Sequence, residues 1–215
     1  MKKTGKRAAA RRPAKRGRLR REQRWQQLLD VALRLFIRRG YQGTSIGDLA
    51  RAAGVTRPII YHHFGSKDGI YLACLRQARQ DLERRMMVAG SRGQGLAERL
   101  RNGIEAYFAF VEDEGDAWGM LFGGGVAVAG PAAEEARQLR FATVGRIVDL
   151  LRQVLPHVDA QTLEACAHAV SGSGEQLAKW WRQNPHIPRE RVVDYHWRIS
   201  LHGLAPLEQT GRWPD

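Results

Sequence analysis

The chain has 215 residues, of which 43% are hydrophobic and 27% charged, a composition typical of a folded protein with a sizeable buried core. No stretch approaches the roughly 20 uninterrupted apolar residues of a membrane span, and no apolar segment follows the basic N-terminus, so we expect no membrane partner and a cytoplasmic location. The net charge is +13, but the residues from Tyr71 onward carry 17 basic and 18 acidic groups, which excludes a strongly polyanion-binding surface from most of the chain.

The positive charge is concentrated at the N-terminus. Eleven Lys and Arg residues and no acidic residue occur up to Arg21. Such a segment cannot bury a core, so we predict that residues 1–19 form a disordered basic arm. The arm is expected to lie along DNA phosphates or in the minor groove, with Arg16, Arg18 and Arg20 as candidate contacts. The alternative is a solubilising tail without a DNA role.

Regular structure is predicted to begin near Arg20. One helical face is formed by apolar residues at spacings of three and four, namely Trp25, Leu28, Leu29, Ala32, Leu33 and Phe36. Gly40 is predicted to end this helix as a C-cap.

Two short helices follow, joined by a tight turn. Ser45 with Asp48 predicts an N-cap for the first, and Gly54 supplies the positive φ of the turn. Thr56 is predicted to cap the second helix, which runs to Phe64 with Val55, Ile59 and Ile60 packed beneath it and Pro58 harmless in the first turn. The order of a small residue, glycine, apolar residue and capping threonine predicts a helix-turn-helix. A fourth helix, capped by Ser66, is predicted over 67–87.

These segments resemble the tetracycline-repressor (TetR) family. GVTRPIIYHHFGSKDGIYLACL is similar to the family signature, and FIRRGYQGTSIGDLARAAG is similar to its first two helices; the match covers about Trp25 to Leu75. Pro58, Ile60 and the Asp68-Gly69-Ile70 run depart from the commoner residues of the family. The resemblance implies an all-α fold, with a three-helix DNA-binding domain over 20–70 and a helical effector-binding and dimerisation domain over 71–215.

The implied function is a ligand-responsive transcriptional regulator, expected to be a repressor, that binds a palindromic operator as a homodimer. Its recognition helix should enter the major groove with its N-terminal residues at base edges, where Arg57 is the candidate for guanine O6 and N7. Thr44, Tyr61 and Lys67 match family positions that hold phosphates. The predicted DNA contacts are completed by Ser45, Thr56, Pro58 and His62. The simpler alternatives are helix caps for Thr44, Ser45 and Thr56, a packed aromatic for Tyr61 and a solvated charge for Arg57.

Beyond a Gly-rich break at 89–95, five further helices are predicted at Leu96–Asp113, Asp116–Phe122, Ala132–Leu155, Asp159–Gln183 and Arg189–Leu204. The resemblance implies that the last two form the dimer interface. The candidate interface residues are Leu163, Ala167, Val170, Gly174, Val193, Trp197 and Leu201; the alternative is burial within one subunit. The run Ser171–Gly174 predicts either a close helix approach or a kink.

The resemblance also implies an effector cavity among the middle helices. Aromatic and Met residues suggest an apolar or aromatic small molecule of unknown identity, and the candidate lining residues are Phe108, Phe110, Trp118, Met120, Phe122, Phe141 and His168. The same residues could equally be plain core.

Enzymatic and metal-dependent functions are not predicted. The sequence has no nucleophile elbow, P-loop or dinucleotide fingerprint, and Glu164 with His168 lacks a third metal ligand, so we expect no cofactor. Cys74 and Cys166 are expected to be reduced and packed. The rival interpretation is a DNA-architectural, nucleoid-type protein that binds without an effector, which the basic arm favours and the long neutral domain opposes.

Overall fold

A computed structural model describes residues 13–123 and 131–213, and this part of the chain contains nine α-helices and no β-strand. The predicted all-α fold is therefore confirmed. The helices are α1 (Pro13–Arg39), α2 (Ile46–Ala53), α3 (Arg57–Phe64), α4 (Lys67–Gly90), α5 (Gly95–Asp113), α6 (Gly115–Phe122), α7 (Pro131–Val154), α8 (Ala160–Gln183) and α9 (Arg189–Thr210). Not one of these described helices is long and apolar enough to cross a lipid bilayer.

Helix α1 begins at Pro13, seven residues before the predicted start at Arg20. Proline suits the first turn of a helix because its missing N–H would have no partner there, and the Ala, Lys and Arg that follow are good helix formers. Residues 1–12 of the predicted arm lie outside the described residues, as do the side chains of Arg16, Arg18 and Arg20.

The first three helices form a small unit around a common core. The face predicted on α1 is buried at Leu28, Leu29, Ala32 and Phe36 and packs against α2 and α3. Helix α4 completes the unit at its N-terminal end, where Tyr71 meets the Phe36 ring edge-on at 5.3 Å between centroids. Its other end, with Leu82 and Met86, packs among α5 and α7. Helix α4 therefore belongs physically to both parts of the chain.

The larger unit packs α5, α7, α8 and α9 against one another. Helix α9 continues to Thr210, beyond the predicted end at Leu204 and through Pro206. Burial explains the continuation, because Leu207 is fully buried and its carbonyl oxygen lies 2.9 Å from Nε2 of His157. Gly211 then ends the helix with φ of +74°.

Candidate functional site

The start of α2 and the turn between α2 and α3 are built as predicted. Ser45 is the N-cap of α2 and accepts a hydrogen bond from the Asp48 N–H, while the Asp48 carboxylate accepts from the Ser45 N–H at 3.1 Å. The Ser45 hydroxyl also donates to the Asp48 carboxylate at 2.6 Å, and this bond, followed by the one from the Ser45 N–H, lowers the pKa of Asp48. Gly54 ends α2 in the left-handed region with φ of +65°, which a residue with a side chain adopts at a cost.

Helix α3 presents an exposed outer face. Its single buried side chain is Ile60, which is 1% exposed, so the helix rests on the core through that residue. Ile59 is 36% exposed, so its predicted burial beside Ile60 is wrong. The remaining exposed residues of this face are Thr56, Arg57, Pro58, Tyr61 and His62.

The beginning of α3 carries free polar groups. Thr56 stands at the N-cap position but its side chain makes no capping hydrogen bond, so the predicted capping role of its hydroxyl is wrong. Arg57 leans over α2, where a Cβ on Gly47 would lie 2.9 Å from its Nη2. The Thr56 hydroxyl and the Arg57 guanidinium therefore both lie at the exposed start of the helix.

Thr44 differs from its predicted role. It is 1% exposed, and its hydroxyl donates to the carbonyl oxygen of Gly40 at 2.8 Å. The side chain thus satisfies the C-terminal end of α1 and is not available to a phosphate. The alternative capping role therefore describes this residue better.

Lys67 lies at the edge of the same surface. Its ammonium is 4.1 Å from the centroid of the Tyr41 ring, and the Tyr41 hydroxyl donates to the Asp68 carboxylate. Burial, followed by that hydrogen bond, raises the pKa of Tyr41 to about 12. His63 lies half-buried behind the exposed face, and burial together with the nearby His62 lowers its pKa.

A second feature is an internal cavity between α5 and α7, closed by parts of α4, α6, α8 and α9. Its water-accessible volume is about 70 Å³, which is narrow. The lining runs along α5 from Leu96 to Tyr107 and along α7 from Thr143 to Val154, about 16 Å on each helix at 1.5 Å per residue. The cavity is therefore elongated and mainly apolar.

The predicted effector residues lie mostly elsewhere. Phe122 lines the cavity, but Phe108, Phe110, Trp118 and Met120 are buried core residues outside its wall. Phe108 packs against Trp181 of α8 with ring centroids 5.8 Å apart, and Trp118 Nε1 of α6 donates to the Tyr107 hydroxyl of α5 at 2.9 Å. His168 is exposed on the outer side of α8, in a separate groove against α7. The Phe141 side chain lies outside the described residues.

Sequence reasoning missed most of the cavity wall. Leu96, Leu100, Ile104 and Tyr107 recur every three or four residues along α5, so helical spacing was an available signal for them. His196 of α9 also lines the cavity, and no local pattern marks it. Its imidazole is 3% exposed, and burial lowers its pKa to about 4, so the ring is neutral at physiological pH.

Arg99 and His196 mark the two ends of the cavity. Arg99 reaches the surface, where its guanidinium donates to the carbonyl oxygen of Gly93 and, at 2.9 Å, to the exposed Gln153 side chain. His196 lies at the opposite, fully buried end near Tyr107 and Gly174. The rest of the wall is mainly aliphatic, and Phe122, Thr143 and Ser171 also line it.

The outer surface of α8 and α9 carries an exposed apolar patch. A shallow depression is formed by Leu177, Trp180, Tyr195, Arg198 and Ile199, in which the two aromatic rings are each 41% exposed and Ile199 is 64% exposed. We call these five residues the α8–α9 patch.

The residues predicted for the dimer interface face inward instead. Buried within the single chain are Leu163, Ala167, Val170, Gly174 and Val193, because this side of α8 and α9 packs on α7 and α5. Trp197 and Leu201 are half-buried, and the Trp197 indole donates to the Ala97 carbonyl oxygen at 3.0 Å. For the Ser171–Gly174 run, the sequence left open a close helix approach or a kink. Gly174 allows α8 to approach α9 closely, since a Cβ there would lie 3.1 Å from Cε1 of His196.

Neither cysteine nor metal chemistry marks a further site. Cys74 and Cys166 are free and buried, and burial raises the pKa of Cys74 to about 12. Across residues 13–123 and 131–213, no group of three or more His, Cys, Asp or Glu is arranged to hold a metal ion.

Both units of the chain match known protein-family models. Residues 28–74 match the model described as bacterial regulatory proteins, TetR family, and residues 96–199 match the model described as tetracyclin repressor-like, C-terminal domain. The two matches together span most of the chain.

Individual relatives agree with these matches. The HTH-type transcriptional activator FasR of Mycolicibacterium smegmatis is 27% identical over 212 residues, which cover 96% of each chain. The crystal structure of a TetR-family transcriptional regulator from Streptomyces coelicolor is 30% identical, with a TM-score of 0.67 over 88% of this chain and 82% of that one. The transcriptional regulator FadR from Bacillus subtilis, solved in complex with stearoyl-CoA, shares the fold at 14% identity, with a TM-score of 0.67 over 88% of this chain and 100% of that one.

Proposed function

Since the chain belongs to the TetR family of bacterial transcriptional regulators, we propose that it binds a palindromic operator as a homodimer and that an apolar effector in the α5–α7 cavity changes this affinity. The DNA-binding part of the proposal rests on one observation, the outer face of α3. That face is exposed along its length, and Ile60 anchors the helix to the core. It begins with the Thr56 hydroxyl, which makes no capping hydrogen bond, and the Arg57 guanidinium.

Helix α3 is the proposed reading element. Arg57 at its first turn is placed to approach guanine O6 and N7 in the major groove, with Thr56 beside it. Tyr61, 50% exposed, and Lys67 at the start of α4 are proposed phosphate contacts. Ser45, Pro58 and His62 stay in the proposed contact surface, whereas the hydroxyl of Thr44 does not.

The basic arm is proposed as a second DNA contact that carries no sequence information. Each phosphate that it neutralises contributes a slope of about −0.9 in log K against log salt concentration. Removing residues 2–19 should therefore flatten the salt dependence and leave the preference for the operator intact. An unchanged slope would instead indicate that the arm is a solubilising tail without a role in DNA binding.

Dimerisation is proposed to use the α8–α9 patch. Trp180, Tyr195 and Ile199 are exposed on two adjoining helices. Large aromatic and apolar side chains of this kind are typically buried in an interface between two copies of a chain. A dimer also doubles the number of base pairs read, which a single short helix needs for specificity in a genome.

The effector is proposed to be a slender apolar chain with an anionic end, such as a long-chain fatty acid. The cavity is long and narrow, its wall is mainly aliphatic, and Arg99 stands at its surface end with two neutral hydrogen-bond acceptors. Its volume of about 70 Å³ is smaller than such a chain, so binding would have to move the surrounding helices apart. The relative FadR is solved with stearoyl-CoA, which supports this class of ligand.

Helix α4 is the proposed route between cavity and DNA. Met86 of α4 lines the cavity, and the N-terminal turn of the same helix packs on α1 and α3. An effector that favours one position of α4 over another would change the separation of the two recognition helices in a dimer and hence the operator affinity. We propose repression as the regulatory outcome, because a dimer seated on a promoter blocks access without further contacts, although the relative FasR is named an activator.

The test of this proposal is quantitative DNA binding. The full chain is used to select its preferred duplex from a random pool, and affinities for that duplex and a shuffled duplex are measured. We expect Arg57→Ala to weaken binding to the selected duplex by roughly 5- to 150-fold, the value of about 1–3 kcal/mol of base discrimination. Arg137→Ala, an exposed arginine of α7, is the matched control and should have no effect. Equal affinity for both duplexes in the parent protein would instead favour the architectural, effector-independent function.

A further inference from the structure

His196 is the one polar side chain at the buried end of the cavity whose ring is held on several sides. The edge-to-face contact with Phe108 places the ring centroids 5.9 Å apart. Gly174 approaches Cε1 so closely that a Cβ there would lie 3.1 Å from that atom. The ring forms part of the cavity wall. The orientation of the imidazole is therefore set by packing before any ligand arrives.

The hydrogen bonds of this ring determine its tautomer. Nε2 lies 3.1 Å from the carbonyl oxygen of Val170 and 3.0 Å from the hydroxyl oxygen of Ser173. A carbonyl oxygen can only accept, so Nε2 must carry the proton and donate it. Burial lowers the pKa of His196 to about 4, so the ring holds a single proton at physiological pH. Nδ1 is then unprotonated and can only accept a hydrogen bond.

Nδ1 has no partner among the residues that the structure describes, and it is buried from solvent. A buried acceptor without a donor costs folding free energy, and such groups in native proteins call for an explanation. The ring lines the cavity, although Nδ1 itself is not exposed to it, so a ligand reaches this atom by widening the cavity at its buried end. A donor supplied by the effector would satisfy the atom.

We propose that Nδ1 of His196 accepts a hydrogen bond from a hydroxyl group on the effector, so that the cavity selects a hydroxylated apolar chain over the unsubstituted one. This inference rests on the proposed effector role of the cavity and adds to it the chemistry of the ligand's inner end. A carboxylate or a ketone at that position has no proton to donate and would face the lone pair of Nδ1. The hydroxyl is therefore the group that distinguishes the preferred ligand.

The position of the hydroxyl follows from the two ends of the cavity. Arg99 and Tyr107 are about 12 Å apart along the α5 axis, and Tyr107 lies with His196 against Gly174. A fatty acid with its carboxylate at Arg99 would bring a hydroxyl at the far, ω end of a chain of suitable length to His196. Chain length and hydroxylation should therefore act together.

The experiment compares straight-chain saturated fatty acids with their ω-hydroxy counterparts over a series of chain lengths. Dissociation constants for the full-length protein are measured by isothermal titration calorimetry. We expect one chain length at which the hydroxyl tightens binding by about tenfold, the worth of one hydrogen bond. His196→Phe keeps an aromatic ring but removes the acceptor, so the ratio of the two dissociation constants measured on this variant should fall to about one. His168→Phe, an exposed histidine of α8, is the control and should keep the preference.

A second measurement does not depend on a variant that folds. In protein labelled with ¹⁵N-histidine, the resonance of the unprotonated Nδ1 of His196 should shift on binding the ω-hydroxy acid and not on binding the plain acid. Equal affinities for acid and hydroxy acid at every length, with an unmoved Nδ1 resonance, would overturn the hydroxyl inference and leave the effector cavity standing. Failure of both probe series to bind at any length would overturn the fatty acyl class of effector, and the inference with it.

Discussion

Replacing Gly103 with a larger residue would fill the cavity and is the most direct test of its proposed role. Gly103 is buried in α5, lines the cavity, and has no atom within 4 Å of the position that a Cβ would take. A side chain added here projects into empty space, whereas at Gly174 it would meet His196. Gly103→Ala therefore fills a small part of the volume proposed for the ligand, and Gly103→Leu fills a larger part.

The expected magnitudes follow from two opposing effects. Alanine replaces glycine within a helix, which should stabilise the protein by roughly 0.5–1 kcal/mol and leave ligand affinity within a few-fold of the parent. Leucine fills the lumen, so a fatty acid can bind only by displacing it or by forcing the helices apart. Overpacking of this kind costs typically about 1–3 kcal/mol, so the affinity should fall roughly 5- to 150-fold.

The assay is calorimetric titration with a straight-chain fatty acid, followed by operator binding with and without that acid. Gly145→Leu is the matched control, because Gly145 is exposed on α7 and its Cβ position also has no neighbour within 4 Å. We expect Gly103→Leu to bind the operator normally and to stay insensitive to the acid. If Gly103→Leu bound the acid as tightly as Gly145→Leu, the cavity would not be the effector site.

Three further outcomes are expected elsewhere in the chain. Ile199→Arg should convert the proposed dimer to monomer in sedimentation velocity because the α8–α9 patch would bury a charge, whereas Ile37→Arg on α1 should not; an unaltered sedimentation coefficient would contradict the use of this patch as the interface. Glu83→Gln should lower the free energy of unfolding in urea by roughly 2 kcal/mol, since the buried carboxylate pairs with Arg79 of α4 at 3.1 Å and with Arg146 of α7 at 3.6 Å; a change within about 0.5 kcal/mol would show that these pairs contribute little. The folded pKa of His196 is about 4 against 6.5 for the unperturbed group, so its contribution to stability is present above pH 6.5 and is lost as the pH falls towards 4. His196→Phe should make thermal stability less sensitive to pH in that window, and an identical pH profile would contradict the burial of a neutral ring.

The DNA-binding unit could be predicted closely from sequence because its signals are local. A capping box at Ser45, a glycine with positive φ at position 54 and a proline in the first turn of α3 each depend on residues within one turn. The errors there concern orientation. Ile59 and Ile60 are adjacent and equally apolar, and only packing against α1 and α2 decides that Ile60 is the buried one.

The cavity could not be predicted because its wall comes from six helices, α4 to α9. Large aromatic residues suggested a ligand site, but rings such as Trp118 and Phe108 fill the core, and smaller aliphatic residues leave the space open. The same limit applies to α8 and α9, where apolar stripes occur on more than one face. Sequence periodicity does not say which stripe is covered by α5 and α7 and which remains for a second subunit.

The most direct test of the central claim is a hydroxyl-radical footprint of the full-length protein on its selected duplex, with the protein-to-DNA stoichiometry measured on the same complex. We expect a palindromic site with two protected half-sites whose centres lie about 10 base pairs, or a multiple of that spacing, apart, and an even number of chains bound. Arg57→Ala should lose protection at the same bases in both halves. Uniform protection without a discrete site, or a single chain bound to a single half-site, would contradict the central claim.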